Sequence, residues 1–199
     1  MIVATTLPVA WLVARAAGLA AFGALTASTW LGLAMSTRLL PTRFQRHLLG
    51  WHRTLVWTSL SLVGLHVGAL LGDPMLHMGL SGALIPFASP WRPAAVAAGV
   101  VAGWASLMLA VSFPMRKWIG QKTWRRLHYA SFAAFVLALG HALASGTDLA
   151  GAGGPLLTAV AGGPVLWFVL VRILTPSKGR TSRQASQART GEAAQEAAR

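Results

Sequence analysis

The sequence predicts an all-α, polytopic membrane bundle of about five transmembrane helices, with its N-terminus outside and its C-terminus inside. Three observations carry this: a composition 55% hydrophobic and only 11% charged, long apolar runs bounded by Pro and Gly, and basic residues gathered in alternate loops. A mean hydropathy of +0.58 is too high for an ordinary soluble domain.

Spans of roughly 20 apolar residues fall at 9–35, 50–71, 93–113, 123–144 and 155–174. The first has no basic residue before Arg15 and no convincing cleavage site, so it reads as a retained helix rather than a signal peptide. Pro41 follows it, Asp73-Pro74 follows the second, Pro114 the third, Gly146-Thr147-Asp148 the fourth and Pro176 the fifth. The loop between spans 1 and 2 holds Arg38, Arg43 and Arg46, with Arg53 just inside span 2. The loop between spans 3 and 4 holds Arg116, Lys117 and Lys122, followed by Arg125 and Arg126. By the positive-inside rule those loops are cytoplasmic. The opposite loops carry only Asp73 and Arg92 in one case and Asp148 in the other. Residues 1–175 then form the membrane domain, and 176–199, polar and without an aromatic residue, a disordered cytoplasmic tail. The bias to Arg over Lys, with abundant Ala and Gly, points to a GC-rich bacterial genome, and with the spans the expected location is a bacterial cytoplasmic membrane.

Composition also excludes whole classes of function. The net charge of +13 could point to nucleic acid, but the basic residues lie between apolar runs or in the tail, with no interleaved aromatic platform; no nucleic-acid partner is expected. The chain has no cysteine, which rules out disulfides, thiolate catalysis, Cys-ligated zinc and iron–sulfur clusters. No glycine-rich dinucleotide fingerprint occurs, and no nucleophile, base and orienting acid are arranged as a catalytic set. Metal chemistry must rest on histidine.

Of the six histidines, His47 and His77 fall in predicted loops, His52 and His66 on span 2, and His128 and His141 on span 4. Both spans run from inside to outside, so His52 and His128 share an inner level and His66 and His141 an outer one. The second residue of each helix lies fourteen or thirteen positions beyond the first, a rise of about 20 Å. Two histidines facing each other at one depth can clamp a haem from both sides, and two such pairs make a two-step path for electrons. Gly64, Gly68 and Gly140 beside these ligands could admit a flat macrocycle, or serve helix packing alone. One spacing is awkward: thirteen residues leave His141 about 140° around a straight helix from His128. The alternative for each histidine singly is a polar group bonded to a neighbouring helix.

The segments WHRTLVWTSLSLVGLHVGALLGDP (51–74) and KTWRRLHYASFAAFVLALGHALASGTD (122–148), with RAAGLAA from Arg15 and PFASPWRP (86–93), resemble the ferric reductase-like transmembrane domain found in ferric reductases and NADPH oxidases. The likeness covers roughly 10–150, and the family's histidine spacing is the one seen here. The resemblance implies two b-type haems, the inner on His52 and His128 and the outer on His66 and His141. It further implies the membrane module of an oxidoreductase, with electrons passing from a separate flavoprotein or quinone donor to an outer-face acceptor. A further N-terminal span and a fused flavin- and NADPH-binding portion, present in the larger members, are absent from this sequence. A stand-alone group of the family serves methionine-sulfoxide reductase, so acceptors ranging from a protein to ferric iron, oxygen or a quinone stay open.

Haem propionates call for cations. Arg53, Arg125 and Arg126 lie beside the inner ligands, Arg92 lies in an outer loop, and Arg15 sits about 10 Å into span 1, where a charge needs a partner. Arg15 is assigned to the outer haem, with snorkelling or a bond to another helix as the alternative. Membrane topology alone would also explain the inner arginines. Two competing functions are a transporter or channel that passes protons or a metal along the histidines, and a structural subunit whose histidines only join helices. The first would call for acidic residues within the spans, and there are none.

Overall fold

A computed structural model describes residues 9–37, 41–74, 76–146 and 151–174. Among them the chain is helical with no strand: α1 (Val9–Thr37), a 3-10 turn (Thr42–Phe44), α2 (Gln45–Leu71), α3 (Leu80–Leu84), α4 (Pro93–Ile119), α5 (Gln121–His128), α6 (Ala130–Ser145) and α7 (Gly153–Leu174). Five stretches are long and apolar enough to cross a bilayer, with α5 and α6 together making one of them. The chain reads as a multi-pass membrane protein. Arg38, Thr147, Asp148, Pro176 and the predicted tail at 176–199 lie outside the described residues.

Helix α1 is the centre of the bundle. Its buried positions, Ala14, Ala17, Ala21, Phe22, Thr26, Ser28 and Leu33, are mostly small, so neighbouring backbones approach closely. It packs along α2 and also meets α6 and α7, while α4 packs along α6. Polar side chains bind these helices together: Ser59 Oγ donates to the Ala21 carbonyl at 2.9 Å, and Trp30 Nε1 to that of Ala161 at 3.3 Å. The opposite faces expose Trp51, Trp57, Val136, Leu166 and Trp167, as expected of surfaces turned to lipid. Helices α2 and α6 barely touch each other. The bundle is thus two tightly paired hairpins, α1–α2 and α4–α6, with a gap between α2 and α6.

Each hairpin's register is set by its turn. Gly120 takes φ 84°, a conformation costly for any side chain with a Cβ, and so joins α4 to α5 through one residue. Positions equidistant from Gly120 are therefore neighbours across that hairpin. Across α1 and α2 the positions equidistant from Thr42 are neighbours, as Gly18 with His66 and Gly32 with His52.

Three expectations need correction. Pro114 does not end its helix: α4 runs through it to Ile119, since the packed partner helix holds the chain helical where a proline would otherwise stop it. His47 is not in a loop, because α2 begins at Gln45. The fourth span is not one continuous helix but is interrupted at Tyr129. There Tyr129 N bonds Arg126 O at 3.2 Å and Phe132 N bonds Tyr129 O at 3.1 Å, three-residue turns that wind at about 120° per residue instead of 100°. Tighter winding advances α6 in the direction that the spacing of thirteen requires, and the interruption lets α5 and α6 differ in course.

Candidate cofactor site

The structure brings the four span histidines together as two pairs across the gap between α2 and the span formed by α5 and α6, His128 closing α5 and His141 lying on α6. His52 and His128 have ring centroids 6.3 Å apart with planes at 75°; His66 and His141 are 6.4 Å apart at 80°. Metal–imidazole bonds run to about 2.0 Å, and a ring's centroid lies ~1.1 Å behind its ligating nitrogen. Two imidazoles on opposite sides of one metal ion therefore stand about 6.3 Å apart. Both pairs have that separation.

Seating of the rings explains how it arises. His66 Nδ1 lies 2.7 Å from the Ala14 carbonyl oxygen, His52 Nδ1 2.9 Å from that of Ser28, and His141 Nδ1 2.8 Å from that of Ala95. A carbonyl only accepts, so each of these rings carries its proton on Nδ1 and keeps the lone pair on Nε2 for a metal. In each case a glycine stands four residues after the carbonyl, directly under the ring. A Cβ at Gly18 would come 2.9 Å from His66 Nδ1, one at Gly99 2.7 Å from His141 Nδ1, and one at Gly32 3.4 Å from His52 Cε1. Carbons in contact keep about 3.5–4.0 Å apart, so Gly18 and Gly99 are what lets imidazole reach the backbone of a packed helix, while a Cβ at Gly32 would only graze its ring. Gly18 and His66 are each 24 positions from Thr42, Gly32 and His52 each 10, and Gly99 and His141 each 21 from Gly120. These glycines were missed in the sequence, where Gly64, Gly68 and Gly140 drew attention instead. A Cβ at any of the latter three would meet nothing within 4 Å. Reflection of each histidine through its hairpin turn would have found the right ones.

Around His66 and His141 lies a cavity of about 460 Å³, lined also by Arg15, Gly64, Met78 and Trp91, within the size range of small-molecule sites. Arg15 is thus beside the pair to which it was assigned, with its guanidinium 5.7 Å from the Trp11 ring. The segment from Asp73 to Arg92 roofs this cavity through Leu76, Met78, Ala83 and Leu84, and Trp104 Nε1 holds it by donating to the Leu84 carbonyl at 3.0 Å. His77, Phe87 and Arg92 take positive φ there. Arg92 is engaged with the Ala144 carbonyl and packs 4.9 Å from the Trp91 ring. Between the two pairs Phe22 and Phe135 stack at 5.8 Å.

A different set surrounds His52 and His128. Trp124 stacks on His128 at 4.9 Å and meets Phe113 edge-on at 5.6 Å. Phe113 in turn has Arg116 at 3.8 Å and Arg53 at 5.4 Å. Arg53 therefore belongs to this cluster, and Arg116, which the sequence presented only as a topology charge, joins it through contacts that no linear pattern shows. Arg125 and Arg126 are exposed on the last turn of α5.

Comparison with protein-family models, curated proteins and solved structures finds no match for this chain. Function must be argued from the site. Among the described residues no three His, Asp or Glu side chains converge as a metal site, so each histidine pair offers two ligands on one axis. A planar ligand that brings its own donors would complete the set around a metal held by such a pair. The residues fit such a group: paired imidazole rings at the required centroid separation, cradles that a Cβ would fill, an adjoining cavity, and cations near both pairs.

Proposed function

We propose that this chain is a di-haem b membrane protein of ferric reductase-like kind, the membrane module of an oxidoreductase in a bacterial cytoplasmic membrane. It carries electrons from a cytoplasmic flavoprotein or quinone donor to an acceptor at the outer face. The observation that carries the reading is the pair of histidine pairs, at two levels about 20 Å apart along α2, each with ring centroids separated as two imidazoles sharing one metal would be. His52 with His128, and His66 with His141, would hold the two haems, which would supply one-electron exchange.

The chain's own residues do the rest. Carbonyls of Ala14, Ser28 and Ala95 fix ring tautomer and orientation, which also strengthens the imidazole as a donor. Arg15 on one level and Arg53 with Arg116 on the other are placed to neutralise propionates. The apolar helices keep water from both levels. On this reading the basic connections hold the His52 and His128 level at the cytoplasmic side, and the cavity roofed by α3 lies at the outer side.

The test is a reduced-minus-oxidised visible spectrum of the purified protein with haem quantification, repeated for His66→Ala and His128→Ala. About two low-spin b haems per chain are expected, with each substitution disrupting one. A folded protein that binds none refutes the reading and favours a transporter or a structural subunit.

A further inference from the structure

Three of the four histidines are seated alike, and the fourth is not. His128 Nδ1 is buried and has no hydrogen-bond partner. In the α4–α6 hairpin, His141 lies 21 positions after Gly120 and rests on Gly99, 21 before it; His128 lies 8 after, and the position 8 before is Ser112. By the rule the other three obey, His128 would rest on residue 112 and donate to the carbonyl of Met108, four residues earlier. Ser112 carries the Cβ that Gly18, Gly32 and Gly99 lack. Its hydroxyl is also committed, donating to the Leu109 carbonyl at 2.7 Å and accepting from Trp124 Nε1 at 3.3 Å. Trp124, so held, stacks on the His128 ring at 4.9 Å. At this level a stacking contact replaces the backbone hydrogen bond.

We infer that Ser112 is a positioning residue which keeps His128 off the α4 backbone, and that the His52–His128 centre is for this reason the more easily reduced of the two. The inference rests on the di-haem reading. An imidazole whose Nδ1–H donates to a carbonyl is the stronger electron donor and favours the oxidised metal; outer hydrogen bonds of this kind are among the protein's means of setting a potential. The His66–His141 centre has two such bonds and the His52–His128 centre one. Arg53 and Arg116, cations near the latter, act in the same direction.

The experiment is a redox titration of the full-length holoprotein followed by its absorbance, with the two centres assigned through His66→Ala and His128→Ala. Wild type is expected to titrate as two one-electron steps, the His52–His128 centre at the higher potential. Ser112→Gly removes the Cβ, opens the Met108 carbonyl to His128 and is expected to lower that potential by about tenfold in the equilibrium, ~59 mV for one electron. Ser112→Ala removes the hydroxyl but keeps the Cβ, and is expected to move it much less. Gly99→Ala is expected to release the haem of the other centre and leave the His52–His128 centre to titrate alone at the higher of the two wild-type potentials, and it stands in if Ser112→Gly does not fold. Equal shifts in the two Ser112 variants, no shift in Ser112→Gly, or a reversed order of the two centres overturns the inference while the two-haem spectrum leaves the parent reading standing. A haem-free protein overturns both.

Discussion

Replacing Gly99 by alanine tests the cradle most directly. The new Cβ would stand 2.7 Å from Cγ and Nδ1 of His141 and 2.9 Å from its Cδ2, where carbon contacts settle at about 3.5–4.0 Å. The ring or the helix must therefore retreat by roughly 0.8 Å. If the ring moves straight back, its bond to the Ala95 carbonyl, now 2.8 Å, opens to about 3.6 Å, past the limit of a hydrogen bond. A buried N–H left without an acceptor costs about 1–3 kcal/mol, against which alanine regains ~1 kcal/mol of helix propensity. The net loss expected is thus about 0–2 kcal/mol, small enough to leave a folded protein. The displaced ring would no longer stand opposite His66 at the separation one metal requires. Haem-to-protein ratio and thermal midpoint in detergent are the measurements: Gly99→Ala should drop one haem of two and lower the midpoint, while Gly140→Ala, whose Cβ meets nothing within 4 Å, should match wild type. Equal behaviour of the two variants would show that glycine at 99 serves something other than seating His141.

Two further outcomes are expected. Alanine at Gly18 and at Gly32 should differ in severity, since the new Cβ would meet its histidine at 2.9 Å in the first case and 3.4 Å in the second; haem retention in the two variants measures the difference, and a greater loss at Gly32 contradicts the steric ranking. The absence of native cysteine allows topology to be read by single-cysteine labelling: Lys117→Cys should react with an impermeant thiol reagent only from the cytoplasmic side and Phe87→Cys only from the other, and the opposite pattern would invert the proposed direction of electron flow.

The helices were legible because a span leaves a signature twenty residues long, which local errors hardly disturb. Boundaries were less so: proline at 114 obeys its propensity in an isolated chain, but within α4 the packing of a partner helix outweighs it. The candidate ligands were legible too, since an imidazole is costly among lipid-facing residues and four of them on two helices recur at matched intervals. Arg15 could be placed beside the outer pair from depth alone. Arg116 could not, for its relation to His128 runs through Phe113 and Trp124 on two different helices.

By itself the sequence determined which helices span, which histidines share a level and how far apart the levels lie, because rise along a helix is fixed at about 1.5 Å per residue. Rotation about the helix axis is not fixed in that way. Only the tertiary structure decided that three-residue turns at Tyr129 swing α6 toward the face of His128, and that Gly18, Gly32 and Gly99 lie beneath imidazoles from other helices. It also decided that the Ser112 hydroxyl accepts from Trp124, whose ring stacks on His128. Those outcomes depend on hairpin register and on contact distances of a few tenths of an ångström, quantities that exist only once two helices have packed.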